Sequence, residues 1–159
     1  TAARDLTLAD FHRMPYLLKV VREIYRYYPP GGEIYARVSM EDDTLRDWQV
    51  PAGTTYMIHT ASIHQDPRFW ANPTEFNPDR FDKPIANNTW IPFGGGKKDC
   101  PGKDLAVQVS NAFFAHLIRN FKWTYVGEDD PPVIRMLLSA APKDPFLFKL
   151  QRRSTKDEL

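Results

Sequence analysis

The chain has 159 residues, which sets an expectation of one domain, and it is 42% hydrophobic and 26% charged, so disorder and collagen-like repeats are excluded. Twenty-one basic against 20 acidic residues leave a net charge of +1. That balance removes any bulk attraction to nucleic acid or an anionic membrane and leaves only local patches. The lone cysteine, Cys100, permits no intrachain disulfide, and the longest apolar run, residues 112–118, is interrupted by His116 and far short of the about 20 residues that span a bilayer.

The chain opens at Thr1 with neither an initiator methionine nor a basic-then-apolar leader, as at a cut end. From Thr7 the pattern is helical, with Thr7 and Asp10 as candidate N-caps and Leu17, Val20, Val21, Ile24 and Tyr28 as the apolar face. Pro29-Pro30-Gly31-Gly32 ends that helix. Residues 34–40, 48–50 and 54–60 read as short strands of a small twisted sheet, the last entered through the turn Pro51-Ala52-Gly53. Residues 66–92 carry Pro67, Pro73, Pro78, Pro84 and Pro92 with Trp70 and Trp90 and little periodicity. They predict a long ordered meander, and loops of that length in compact domains are usually functional. A second helix begins at Pro101, with Leu105, Val109, Ala112, Phe113 and Leu117 on one stripe. Residues 122–126 read as a strand, Glu128-Asp129-Asp130 as an acidic turn, and residues 134–138 and 146–150 as a closing strand pair. The end, Lys156-Asp157-Glu158-Leu159, has the form of the retention address of the endoplasmic reticulum lumen.

The chemistry concentrates in Phe93-Gly94-Gly95-Gly96-Lys97-Lys98-Asp99-Cys100-Pro101-Gly102, of the form F-x-x-G-x-x-x-C-x-G. Glycines allow positive φ and a close approach of a flat ligand to the backbone, and a cysteine just before a helix N-terminus is held towards thiolate. That geometry suits an axial iron ligand; an inert cysteine in a glycine-rich loop is the plainer reading. Glu23 and Arg26 are an i,i+3 helical pair, which on a solvated surface contributes only about 0.2 to 0.5 kcal/mol. His59 and His64 are wrongly spaced for a one-turn metal pair, so no zinc site is expected.

The cysteine segment resembles the cysteine loop of the cytochrome P-450 family of haem-thiolate monooxygenases. Glu23-Ile24-Tyr25-Arg26 is similar to the family's E-x-x-R on a helix ending in prolines, and Asn77-Pro78-Asp79-Arg80-Phe81 to its meander motif. Ile63-His64-Gln65-Asp66-Pro67, with Trp70, Asn72-Pro73 and Phe76, is similar to the stretch between sheet and meander. The resemblance implies a mainly α fold with a small mixed β-sheet, the C-terminal half of the cytochrome P-450 fold. Residues 1–159 would form a single partial domain, with 153–159 as a disordered tail. It implies haem b as cofactor, with Cys100 as catalytic residue and metal ligand, and Arg37, Phe93, Lys98, Cys100 and Gly102 around the cofactor. Lys98 stands where the family has Arg or His, and offers a point charge in place of a planar fork. Glu23, Arg26 and Arg80 would form a buried structural triad. Gly31 to Ala36 and Leu137 to Ala140 would line a cavity for a small hydrophobic organic substrate. Lys97, Lys98 and Lys103 would receive an electron-donor flavoprotein or ferredoxin, or else form a solvated charge cluster. No nucleic-acid partner is implied. The activity implied is insertion of one oxygen atom of O2 into the substrate; the alternative is a non-catalytic remnant that binds haem weakly or serves as an interaction module. Association with the endoplasmic reticulum would depend on an anchor outside these residues.

Overall fold

The computed structural model describes residues 4–11, 13–32, 34–127, 134–136, 140–143 and 145–154. The N-terminal helical pattern is not one helix but two: α1, Leu8–Phe11, and α2, Pro15–Tyr27. The break follows from Pro15, which has no N–H to give the preceding turn and drives Met14 out of helical geometry, φ −115 and ψ 60. Asp10 caps the short helix from inside it: its Oδ2 accepts Thr7 N–H and Thr7 Oγ1–H, each at 2.8 Å. The buried face of α2 is Leu17, Val21 and Tyr25 with Glu23 and Arg26, whereas Tyr28, expected on that face, is exposed.

β1, Ile34–Val38, pairs antiparallel with β4, Thr55–Ile58, with an irregularity between Ile34 and Arg37. Between them lies an unanticipated hairpin of β2, Asp43–Leu45, and β3, Trp48–Val50. Its turn uses Arg46 at φ 55, a conformation that the sequence pattern does not advertise for arginine. The stretch read as strand 54–60 ends at Ile58, and α3, Thr60–His64, follows, with His59 as N-cap accepting Ser62 N–H at 3.0 Å. The meander then runs without regular structure to a 3-10 turn at Pro78–Asp82. α4 covers Lys103–Asn120 and continues directly into β5, Phe121–Tyr125. β5 pairs antiparallel with β8, Phe148–Arg152; β6, Ile134–Met136, pairs with β7, Ala140–Pro142. The described strands thus form four antiparallel two-stranded ribbons.

The core lies where α2 crosses α4. Leu17, Val21, Tyr25 and Ala115 form its buried centre, and Trp90, Phe93, Val107 and Phe114 pack around it. Tyr25 joins the two helices with its hydroxyl, which donates to the Ala106 carbonyl at 3.3 Å and shares a 2.8 Å hydrogen bond with Ser110 Oγ. Of the stripe expected to bury α4, Leu105, Val109 and Phe113 are 66%, 58% and 59% exposed, while Ala112 and Leu117 are half-buried. The helix packs on α2 through the neighbouring face, where Tyr25 reaches Ala106 and Ser110, and leaves most of that stripe uncovered. Among the described residues no helix is long and apolar enough to cross a membrane. Glu33, Glu128, Asp129, Asp130, Leu137 and the Lys156-Asp157-Glu158-Leu159 end lie outside the described residues. Arg153 donates its N–H to the Asn120 carbonyl at 2.8 Å and its Nε–H to the Ile118 carbonyl at 2.9 Å.

Candidate functional site

The cysteine loop hangs between the core and α4. Phe93 is fixed on the core side by an edge contact with Tyr25, centroids 5.0 Å apart, and one with Trp90 at 6.4 Å. The chain then reverses through Gly94 at φ +80 and Gly96 at φ +72, left-handed conformations that strain any residue with a Cβ. The reversal brings Cys100 N–H back to the Phe93 carbonyl at 2.8 Å, closing the loop. Cys100 is a free, exposed thiol. Gly102, the N-cap of α4, has an ordinary φ of −90, and a Cβ there would stand 3.8 Å from Cys100 Sγ. That is an ordinary van der Waals distance, so neither the backbone nor the space beside the sulfur demands a glycine here.

Arg37 on β1 reaches across to the loop, its Nη2 donating to the Lys98 carbonyl at 3.1 Å. Arg37, Phe93, Lys98 and Cys100 therefore line one cavity of about 530 Å³, with Pro30 and Pro92 completing its apolar walls. Gly31, expected to face substrate, lines the same cavity, whereas Ala36 is exposed to solvent. Lys97 and Lys98 occupy a 3-10 turn, Gly96–Lys98, and Lys103 stands 3.7 Å from Asp99 across one helical turn. The basic patch is thus partly neutralised by its own acid.

Behind the loop, Glu23, Arg26 and Arg80 meet in the interior. Glu23 and Arg26 are 0% exposed and pair side by side, Nε to Oε2 at 2.7 Å and Nη2 to Oε1 at 2.8 Å. Arg80 adds its Nε–H to Oε1 at 3.0 Å. The remaining donors are spent on meander carbonyls: Arg26 serves His64, Pro73 and Glu75, and Arg80 serves Ala71, Asn72 and Glu75. One carboxylate and two planar cations thereby fix a loop with almost no regular structure.

Three participants escaped the sequence reading. The Asn77 backbone N–H is a fourth donor to Glu23, at 2.9 Å to Oε1. Lys19 bridges α2 to the meander turn through Asp79 at 2.7 Å and Asp82 at 3.0 Å. His64, weighed as a metal ligand and otherwise noted only within the stretch between sheet and meander, is fully buried and accepts the Ile91 N–H on Nε2 at 2.9 Å. Burial lowers its pKa to about 4 from an ordinary 6.5, with the Arg26 charge acting in the same direction. The burial of a histidine that precedes Asp66-Pro67 has no periodic signal, so only the fold reveals it.

No group of three or more His, Cys, Asp or Glu side chains converges among the described residues. A metal at Cys100 would take its other donors from a non-protein framework. The donor set fits haem: an exposed soft sulfur at the floor, apolar walls for a flat macrocycle, and Arg37 and Lys98 for carboxylates at its edge.

Comparison with known proteins agrees with this geometry. The family model described as Cytochrome P450 matches residues 1–150. Cytochrome P450 78A3 of Glycine max is 35% identical, over 95% of this chain and 31% of its own length. Nicotine N-demethylase CYP82E3 of Nicotiana tomentosiformis is 35% identical over 72% of this chain and 23% of its own. Retinoic acid bound cyanobacterial CYP120A1 superposes with a TM-score of 0.87 at 29% identity, covering 96% of this chain and 36% of that one. A structure of the cytochrome P450DA heme domain, at 19% identity and a TM-score of 0.86, shares the fold. The chain belongs to the cytochrome P450 family, a family of haem-dependent monooxygenases. It spans about a third or less of the length of the curated relatives named here.

Proposed function

We propose that residues 1–159 are the cysteine-loop portion, a single partial domain, of a haem b-dependent monooxygenase. The observation that carries the reading is the convergence of Cys100, Arg37, Phe93 and Lys98 on one apolar-walled cavity. Haem, when bound, supplies activation of dioxygen and insertion of one oxygen atom into a small hydrophobic substrate, with electrons from a flavoprotein or ferredoxin. Cys100 would hold the haem iron through its sulfur, with Gly102 beside it at the start of α4. Phe93 would pack against the ring on the same side as the sulfur. Arg37 and Lys98 hold the carboxylate edge, Arg37 with a guanidinium already tethered to the loop. Glu23, Arg26 and Arg80 lock the meander that leads into the loop and so support it indirectly. Lys97, Lys98 and Lys103 offer the electron donor a weak positive surface, tempered by Asp99.

Titrating the purified chain with haem tests the reading. Saturable binding at one haem per chain is expected, weakened about tenfold by Arg37→Ala through loss of a charge-assisted contact. Binding without a stoichiometric end point, or equally tight binding by Arg37→Ala, would contradict it.

A further inference from the structure

The loop that carries Cys100 has no direct contact with the Glu23–Arg26 pair, yet a continuous path joins them. Arg26 Nη1–H donates to the His64 carbonyl at 2.8 Å. The His64 ring, on the same residue, accepts the Ile91 N–H at 2.9 Å. Ile91 in turn gives its carbonyl to Gly94 N–H at 3.0 Å, at the residue where the loop reverses, and Phe93 gives its carbonyl to Cys100 N–H at 2.8 Å.

We propose that His64 is a positioning residue for the cysteine loop, its ring nitrogen Nε2 transmitting the placement of the buried Glu23–Arg26 pair to the segment that presents Cys100. The proposal rests on the functional reading above for its purpose, but the coupling itself is a property of this chain. An acceptor at Nε2 fixes the tautomer, so the proton sits on Nδ1, which finds no partner within hydrogen-bond distance. Thr60, one helical turn earlier on α3, is also fully buried with its Oγ1 unpartnered. A histidine kept in so unfavourable a setting, packed edge-on to Trp70 at 6.4 Å, is retained for the bond that its other nitrogen makes. Leucine or phenylalanine would fill the site without an orphaned donor, but would leave the Ile91 N–H without its acceptor. The charged groups facing the ring are Arg26 and Glu23 of α2, and both are already paired with each other.

Two variants separate positioning from packing. His64→Phe keeps ring volume and removes the acceptor; His64→Gln carries an oxygen near the Nε2 position and removes the ring. Amide hydrogen exchange is read at Ile91, Gly94 and Cys100, with residues 111–117 of α4 as the global reference. The expected result is exchange at least tenfold faster at the three loop amides in His64→Phe with α4 unchanged, and return to within about threefold of native in His64→Gln. If His64→Phe unfolds outright, His64→Leu, which also lacks the acceptor, takes its place in the comparison with His64→Gln. Loop exchange unaffected by His64→Phe, or accelerated alike in both variants, overturns it. Exchange requires no haem, so failure of the chain to take up haem would defeat the functional reading and leave this test intact. In the haem-loaded chain, His64→Phe should also move part of the reduced, carbon-monoxide-bound Soret band to the unshifted form, with His64→Gln restoring it.

Discussion

Glu23 has lost all contact with water, and its two oxygens receive four hydrogen bonds in exchange: two from Arg26, one from Arg80 and one from the Asn77 backbone. Removing either cation leaves a buried carboxylate short of donors, which costs far more than the bond itself. Arg26→Ala is expected to lower unfolding free energy by about 3 to 5 kcal/mol, measured in urea. Combining it with Glu23→Ala should cost much less than the two losses added, because each single change leaves a partner stranded. Additive losses would mean that the two side chains do not share one site. His64 sets a pH dependence of known sign. Its folded pKa, about 4, lies below the ordinary 6.5, so between those values the unfolded chain binds a proton that the folded chain does not. Stability is therefore level above about pH 6.5 and falls as pH drops through that window towards 4, and His64→Gln should flatten this slope in a series of urea titrations.

At the scale of elements, what the sequence made legible was local chemistry and what it concealed was partnership. Phe93, Gly94, Cys100 and the Glu23/Arg26 spacing are short-range patterns, and each lies where a turn or a single helical turn brings its members together. The break at Pro15 was marked by the proline, but the strong apolar periodicity on both sides masked it. Residues 48–50 were legible as a strand, but β2 and its pairing with β3 were not, because the turn rests on Arg46 and Asp47, without the glycine or asparagine that usually announces a hairpin. α3 went unread, and the strand before it was carried two residues too far, to Thr60, because five residues carry too little periodicity to announce a helix. α4 shows the limit most clearly: amphipathic patterning identifies an apolar face without saying what covers it. Substituting Leu105 or Val109 with Glu should change stability of this chain by no more than about 0.5 kcal/mol, since both side chains already stand in solvent. Val21→Ala, in the α2–α4 core, should cost about 1 to 3 kcal/mol in the same assay. A large loss for Leu105→Glu would show that the stripe is covered.

Across the described residues, a modest core at the α2–α4 crossing supports four two-stranded ribbons and a long meander held by ion pairs together with the buried Trp70 and Phe81. Isolated two-stranded ribbons are marginal on their own, and many large apolar side chains here remain open to water. Cys100 itself is exposed, so the cavity that it lines is open to water, a half-site. Oxygen chemistry at a haem centre needs water excluded and protons metered, and the 159-residue chain alone is expected to give no substrate-dependent product at enzyme-like rates when supplied with a reductase. Sustained product formation by it would contradict the half-site description. The ligand assignment can be tested apart from turnover, through the electronic signature of sulfur. Thiolate donation should give the reduced, carbon-monoxide-bound, haem-loaded chain the red-shifted Soret band from which the family takes its name. Cys100→Ser preserves size and hydrogen bonding but lacks the soft donor, and is expected to retain haem with an unshifted band. An unshifted band in the stoichiometrically loaded native chain, or a red-shifted band that survives in Cys100→Ser, would contradict the account.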